Sequence, residues 1–135
     1  RQLGHSNFKI EDGTMEFGVG HHGEAGTKVE KLKSASEMAQ EMAETILNDF
    51  DFEEGKEVAV MLSGLGATPV MELYVLYDEV EKVLAKAGHK VWKTYIGNYV
   101  TSLDMNGASL TIVDLDDEIK ELLSEPAVPI GMKNY

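Results

Sequence analysis

The chain has 135 residues, 43% hydrophobic and 27% charged, enough for one domain whose core buries roughly two thirds of the surface an unfolded chain exposes. Lys and Arg number 12 against 24 Asp and Glu, and the net charge of −12 disfavours nucleic acids and anionic membranes as partners. The absence of cysteine excludes disulfides, thiolate metal sites and thiol nucleophiles and fits a cytoplasmic protein, and no apolar run approaches the roughly 20 residues that cross a bilayer.

The first residue is Arg1 rather than Met, so the chain is expected to be a processed or cut piece of something longer. Residues 1–13 are polar and aperiodic and end in the turn pair Asp12-Gly13; alternation over 14–19 then predicts a strand. Ser34-Ala35-Ser36-Glu37 resembles a capping box and opens a helix to about Asn48, with Met38, Met42, Ile46 and Leu47 at helical spacing. An acidic loop follows, and Val58-Ala59-Val60-Met61-Leu62 reads as a strand buried on both faces. Thr68 is the expected N-cap and Pro69 the first residue of a helix over 69–87, whose stripe is Leu73, Leu76, Val80, Val83, Leu84 and Ala87. Val70, Met71, Tyr74, Val75 and Tyr77 widen the apolar arc of its first half, as expected of a helix covered on more than one side by another domain or subunit. Gly88 ends it. Strands are predicted over 90–97 and 109–115, then a short helix with acids at its N-terminus, Asp116 to Leu123, and an aperiodic tail beyond Pro126 and Pro129. The order predicts an α/β fold: a mixed β-sheet with helices packed mainly on one face, two strand-helix-strand passes giving parallel neighbours and the last two strands free to pair antiparallel.

Three segments could carry chemistry. Gly18-Val19-Gly20-His21-His22-Gly23-Glu24-Ala25-Gly26 sets two imidazoles and a carboxylate in a run with four glycines, where backbone can bend sharply and approach a small ligand. Adjacent side chains point to opposite sides, so His21 and His22 do not readily share a metal ion. Two readings stay open: a turn whose histidines make ordinary hydrogen bonds, or a neutral imidazole serving as nucleophile with Glu24 fixing its tautomer. His5 and His89 read as solvated or capping residues. Gly64-Leu65-Gly66-Ala67-Thr68-Pro69 lacks the endings of a P-loop or a dinucleotide site and reads first as a structural turn, with contact to a phosphorylated or polyhydroxy ligand left open. The polar segment 97–107 reads as a short helical turn closed by Asn106-Gly107, or as a site loop between core strands. Met38 and Met42 are expected in the core.

Taken together and in order, the His21-His22 loop, the stretch Leu62 to Tyr74 and the stretch Tyr95 to Gly107 resemble the C-terminal half of the substrate-binding subunit of dihydroxyacetone (glycerone) kinases, over nearly the whole chain from Asp12 to Pro129. The family's usual loop is Gly-Ile-His-Gly-Glu-Pro-Gly, so His22 matches its histidine, His21 stands for an aliphatic residue and Ala25 for the proline. The resemblance implies that His22 bonds covalently to the carbonyl carbon of dihydroxyacetone as a hemiaminal, with His22, Gly23 and Glu24 as substrate-binding positions. Such capture selects against glycerol, which has no carbonyl. It further implies a larger N-terminal domain absent from this chain, a homodimer, and a phosphoryl donor, ATP or a phosphoprotein of a phosphotransferase system, on another domain or subunit. No cofactor or metal is expected on this domain, and the piece alone is expected to be inactive. Two rivals are a non-catalytic triose-sensing coactivator and an interaction domain whose wide apolar helix face is the working surface.

Overall fold

The computed structural model describes residues 9–22, 24–53 and 55–134, which divide between Ser34 and Ala35 into two compact units. The first is a hairpin, β1 (Thr14–Phe17) and β2 (Lys28–Lys31), paired antiparallel in the register Thr14↔Lys31 to Phe17↔Lys28. β2 was not expected. Its sequence Lys-Val-Glu-Lys has one apolar residue, Val29, and that residue is exposed, so no alternation marks the strand; it is made by pairing to β1. β1 therefore pairs with β2, and the first of the two anticipated strand-helix-strand passes does not place parallel neighbours in one sheet.

The second unit runs α1 (Ala35–Asp49), β3 (Glu57–Gly64), α2 (Val70–Lys86), β4 (Lys90–Gly97), β5 (Ala108–Asp114) and α3 (Asp117–Ser124). Its sheet has the order β4-β3-β5, with β3 parallel to β4 and antiparallel to β5, so the mixed α/β sheet is as expected. The antiparallel partner of β5 is β3 rather than β4, however. The reason is burial: β3 is the most apolar strand, with Val58, Ala59, Val60 and Leu62 all buried, and the central place covers both its edges and both its faces.

Val58, Val60 and Leu62 on one face of β3 pack against Leu73, Leu76, Val80 and Leu84 of α2 and Ala39 of α1, with Met38 and Met42 partly buried beside them. Tyr77 of α2 bonds Thr94 of β4 at 2.8 Å on this side, and burial, opposed by that hydrogen bond, raises its phenol above the ordinary value. On the other side of β4, the Lys93 ammonium donates to Leu123 O at 2.7 Å and Tyr95 to Asn134 Oδ1 at 3.2 Å. Buried Asn134 in turn donates to Leu123 O and Glu125 O, which fastens the tail beyond α3.

The helix ends follow backbone arithmetic. Gly88, at φ +87°, turns the chain out of α2, while the Gly88 N–H donates to Ala85 O at 3.1 Å and the His89 N–H to Leu84 O at 2.9 Å, which satisfies two carbonyls of the last turn. Ala87 is exposed rather than part of the buried stripe. His89 is buried rather than solvated, its ring 5.6 Å from that of Phe52. Pro69, not Thr68, is the N-cap residue of α2, and it makes no side-chain cap. Asp116 does cap α3, accepting from the Ile119 N–H at 2.7 Å. In the first half of α2 the wide apolar arc stands exposed, Met71 most of all at 78%.

Glu57 at the start of β3 receives Lys120 of α3 at 2.6 Å and Lys90 of β4 at 3.3 Å. The Lys120 hydrogen bond first, then that of Lys90, hold its carboxyl below the usual value against the cost of desolvation. A carboxyl lowered in the folded state contributes stability that is present above its unfolded pKa and lost as pH falls through the lowered one. Glu57→Gln should therefore flatten the acid limb of a melting-temperature profile, and an unchanged limb would contradict the pairing. Leu62→Ala should cost roughly 2–5 kcal/mol in denaturant unfolding, whereas Met71→Ala should stay within about 0.5 kcal/mol.

Candidate functional site

The loop between β1 and β2 holds both adjacent histidines. Gly18, at φ +76°, bends the chain away from the end of β1 in a conformation that L side chains rarely adopt. The loop is closed at its base by the Thr27 N–H donating to Phe17 O at 2.7 Å and by the Gly26 N–H donating to Glu16 Oε1 at 2.7 Å. Nearer the tip, the Gly20 N–H donates to Glu24 O at 3.0 Å and the His22 N–H to Glu24 Oε2 at 3.0 Å.

Glu24 thus touches His22 chiefly through the backbone. Its Oε1 lies 3.6 Å from His22 Nδ1, an ion-pair separation too long for a hydrogen bond. The His22 side chain is 92% exposed and that of Glu24 62%, so their electrostatic coupling is largely screened by water. His21 is exposed as well. Gly23, the third substrate-binding position expected from sequence, lies outside the described residues, as does His5. Among the described residues no three His, Cys, Asp or Glu side chains converge as ion ligands.

The other two nominated segments meet at the carboxyl ends of parallel β3 and β4, where open α/β sheets tend to place ligands. Ser63, 1% exposed, accepts the Tyr99 N–H at 2.9 Å and the Val100 N–H at 3.1 Å on a single hydroxyl. Thr68 accepts the Gly107 N–H at 2.8 Å and lies 2.7 Å from Gly107 O and 3.0 Å from Asn106 Oδ1. Its hydroxyl ties the two loops together, which is why it does not cap α2. Segment 98–107 is a series of bends with a bridge from Met105 to Gly66 rather than the expected helical turn, because its amides are taken by β3-side oxygens instead of by one another. Burial, then the neighbouring Tyr74 and Tyr95, raise the Tyr99 phenol above its ordinary value.

Residue-type reasoning singled out the histidines but missed the roles of Glu16 and Ser63. Glu16 sits two residues before the bend and ten before its partner amide, and no local spacing links such a pair. A groove of about 400 Å³ lies between the end of α1 and β5, lined by Ile46, Phe50, Phe52 and Ile112 among others, and it holds none of the residues nominated from sequence. Ser63→Ala would strand the Tyr99 and Val100 amides, and should cost about 1–3 kcal/mol in chemical denaturation while speeding hydrogen exchange at both; protection equal to wild type would contradict that role.

Comparison with known proteins gives a consistent picture. The family model described as the Dak1 domain matches residues 2–130. The PTS-dependent dihydroxyacetone kinase 1, dihydroxyacetone-binding subunit DhaK, of Listeria innocua is 42% identical over 117 residues, which cover 87% of this chain and 36% of that protein. The D-erythrulose kinase of Mycolicibacterium smegmatis is 38% identical over 123 residues, 91% of this chain and 21% of that one. Among solved structures, the dihydroxyacetone kinase operon co-activator Dha-DhaQ aligns with a TM-score of 0.83 at 30% identity, over 90% of this chain and 38% of the other. The chain thus spans well under half the length of these relatives. With a match that takes in the hairpin, its histidine loop and the mixed sheet, the chain belongs to the Dak1 domain family.

Proposed function

We propose that this chain is the C-terminal, triose-holding domain of a dihydroxyacetone kinase substrate-binding subunit, with His22 as covalent anchor and Gly23 and Glu24 beside it. The observation that carries the reading is the division of labour in the hairpin loop. The His22 backbone is tied to Glu24 while its ring stands 92% exposed, so a nucleophile is held by its main chain and left open to an incoming carbonyl. The likeness to a dihydroxyacetone-binding subunit supplies the substrate class.

In the reaction, the lone pair of one ring nitrogen attacks the ketone carbon and the carbon–nitrogen bond forms as the C=O π pair moves to oxygen. The other ring nitrogen gives up its proton and the oxygen gains one. The net change is addition of an imidazole N–H across the carbonyl, without oxidation or reduction. The captured triose then presents a hydroxyl to a phosphoryl group delivered from ATP or a phosphoprotein on another domain or subunit. Acid-base residues belong, in this proposal, to the N-terminal domain of a longer cytoplasmic, homodimeric subunit. Glu24 orients His22 through the peptide N–H.

A second reading is a triose-sensing coactivator, favoured by the alignment with Dha-DhaQ. Both readings share the capture step and differ in phosphoryl transfer. Native mass spectrometry of the complete subunit with dihydroxyacetone should show an increment of one triose that is lost in His22→Ala, kept in His21→Ala and absent with glycerol. Equal behaviour of the two variants would remove the anchor. Turnover on addition of a donor subunit would favour the kinase, and capture without turnover the coactivator.

A further inference from the structure

The loop that carries His22 has few means of holding a direction. The last residue pair of the hairpin ladder is Phe17↔Lys28, and beyond it Gly18 bends the first strand away, so Gly26 lies outside the ladder and its N–H needs another acceptor. The Glu16 side chain supplies the missing acceptor, reaching along the hairpin so that Oε1 takes that N–H at 2.7 Å. Glu16 belongs to the strand β1, whereas Glu24, the other carboxylate that bonds an amide of the 18–26 stretch, belongs to the loop itself. A Cβ on Gly26 would lie 2.5 Å from Phe17 O and 2.6 Å from Glu16 Cγ, so the fit leaves no room for another residue. The two carboxylates act in series: Glu16 fastens the base at Gly26, and Glu24 fastens the tip at His22.

Resting on the reading of His22 as anchor, we propose that Glu16 is a positioning residue for triose capture, holding the returning limb of the loop so that the His22 ring meets the carbonyl in a fixed direction. It does not touch substrate. Its effect follows from geometry, since bond formation needs reacting atoms about 3–3.5 Å apart and a displacement of about 1 Å can cost about a hundredfold. The Gln variant keeps an oxygen at the same reach, whereas Ala removes the acceptor.

The test compares wild type, Glu16→Gln, Glu16→Ala and His22→Ala in the complete subunit with dihydroxyacetone labelled with carbon-13 at its carbonyl. The readouts are the ratio of tetrahedral to ketone carbon, the Gly26 amide proton shift and the melting temperature. Expected is a loss of about tenfold or more in captured triose for Glu16→Ala, recovery to within about threefold of wild type in Glu16→Gln, and an altered Gly26 amide shift in the Ala variant alone. Capture by Glu16→Ala at the wild-type level overturns the inference while leaving the anchor standing, and so does equal impairment of the Gln and Ala variants at unchanged melting temperature. If Glu16→Ala does not fold, the Gln variant decides alone: near-wild-type capture with an unmoved Gly26 shift supports the role, and loss of capture overturns it. No capture by wild type, or capture retained in His22→Ala, removes the anchor and this inference with it.

Discussion

A backbone N–H that leaves a ladder must find an oxygen, and much of this structure follows from where those oxygens are. At the hairpin loop two glutamates supply them, Glu16 for Gly26 and Glu24 for His22. At the ends of β3 and β4 the supply comes from hydroxyls, Ser63 for Tyr99 and Val100 and Thr68 for Gly107. At the helix ends it is Asp116 for Ile119 and the carbonyls of Ala85 and Leu84 for Gly88 and His89. In each case a loop that glycine or sequence polarity would leave loose is held by one or two directed bonds.

That economy bears on function. A glycine-rich loop loses more chain entropy on ordering than an ordinary one, so a ring that is to stay open on it must be held by bonds that do not cover it. Backbone anchoring meets this need. Glu24 binds the peptide of His22 and leaves the imidazole exposed, an arrangement that a direct ring–carboxylate hydrogen bond would have made more rigid and less open. A dihydroxyacetone-binding kinase subunit and a kinase operon co-activator both align with this chain over most of its length.

Sequence reasoning was sound where periodicity reports burial. The apolar run of β3, the stripe of α2 and the bounds of β4 were legible because a buried face repeats with the geometry of its element. It failed where pairing does the work: β2 has no apolar face to display, and the place of β5 beside β3 is set by the need to cover the most apolar strand. Thr68 looked like a cap because a hydroxyl before Pro69 usually is one, yet its bonds go to Asn106 and Gly107, almost forty positions on. His89 looked solvated because nothing local predicts that Phe52 will cover it.

The candidate site divides the same way. Residue type singled out the paired histidines and Glu24, and the resemblance of the three segments to one family then chose His22. What only the tertiary structure decided is how those segments are held: that Glu24 grips a peptide N–H rather than the ring, that Glu16 crosses the hairpin to Gly26, and that Ser63 gathers two amides from a loop distant in sequence. The physical reason is range. Burial patterns and side-chain chemistry are local properties of a chain, whereas a hydrogen bond to a stranded amide depends on which distant atom folding brings within about 3 Å.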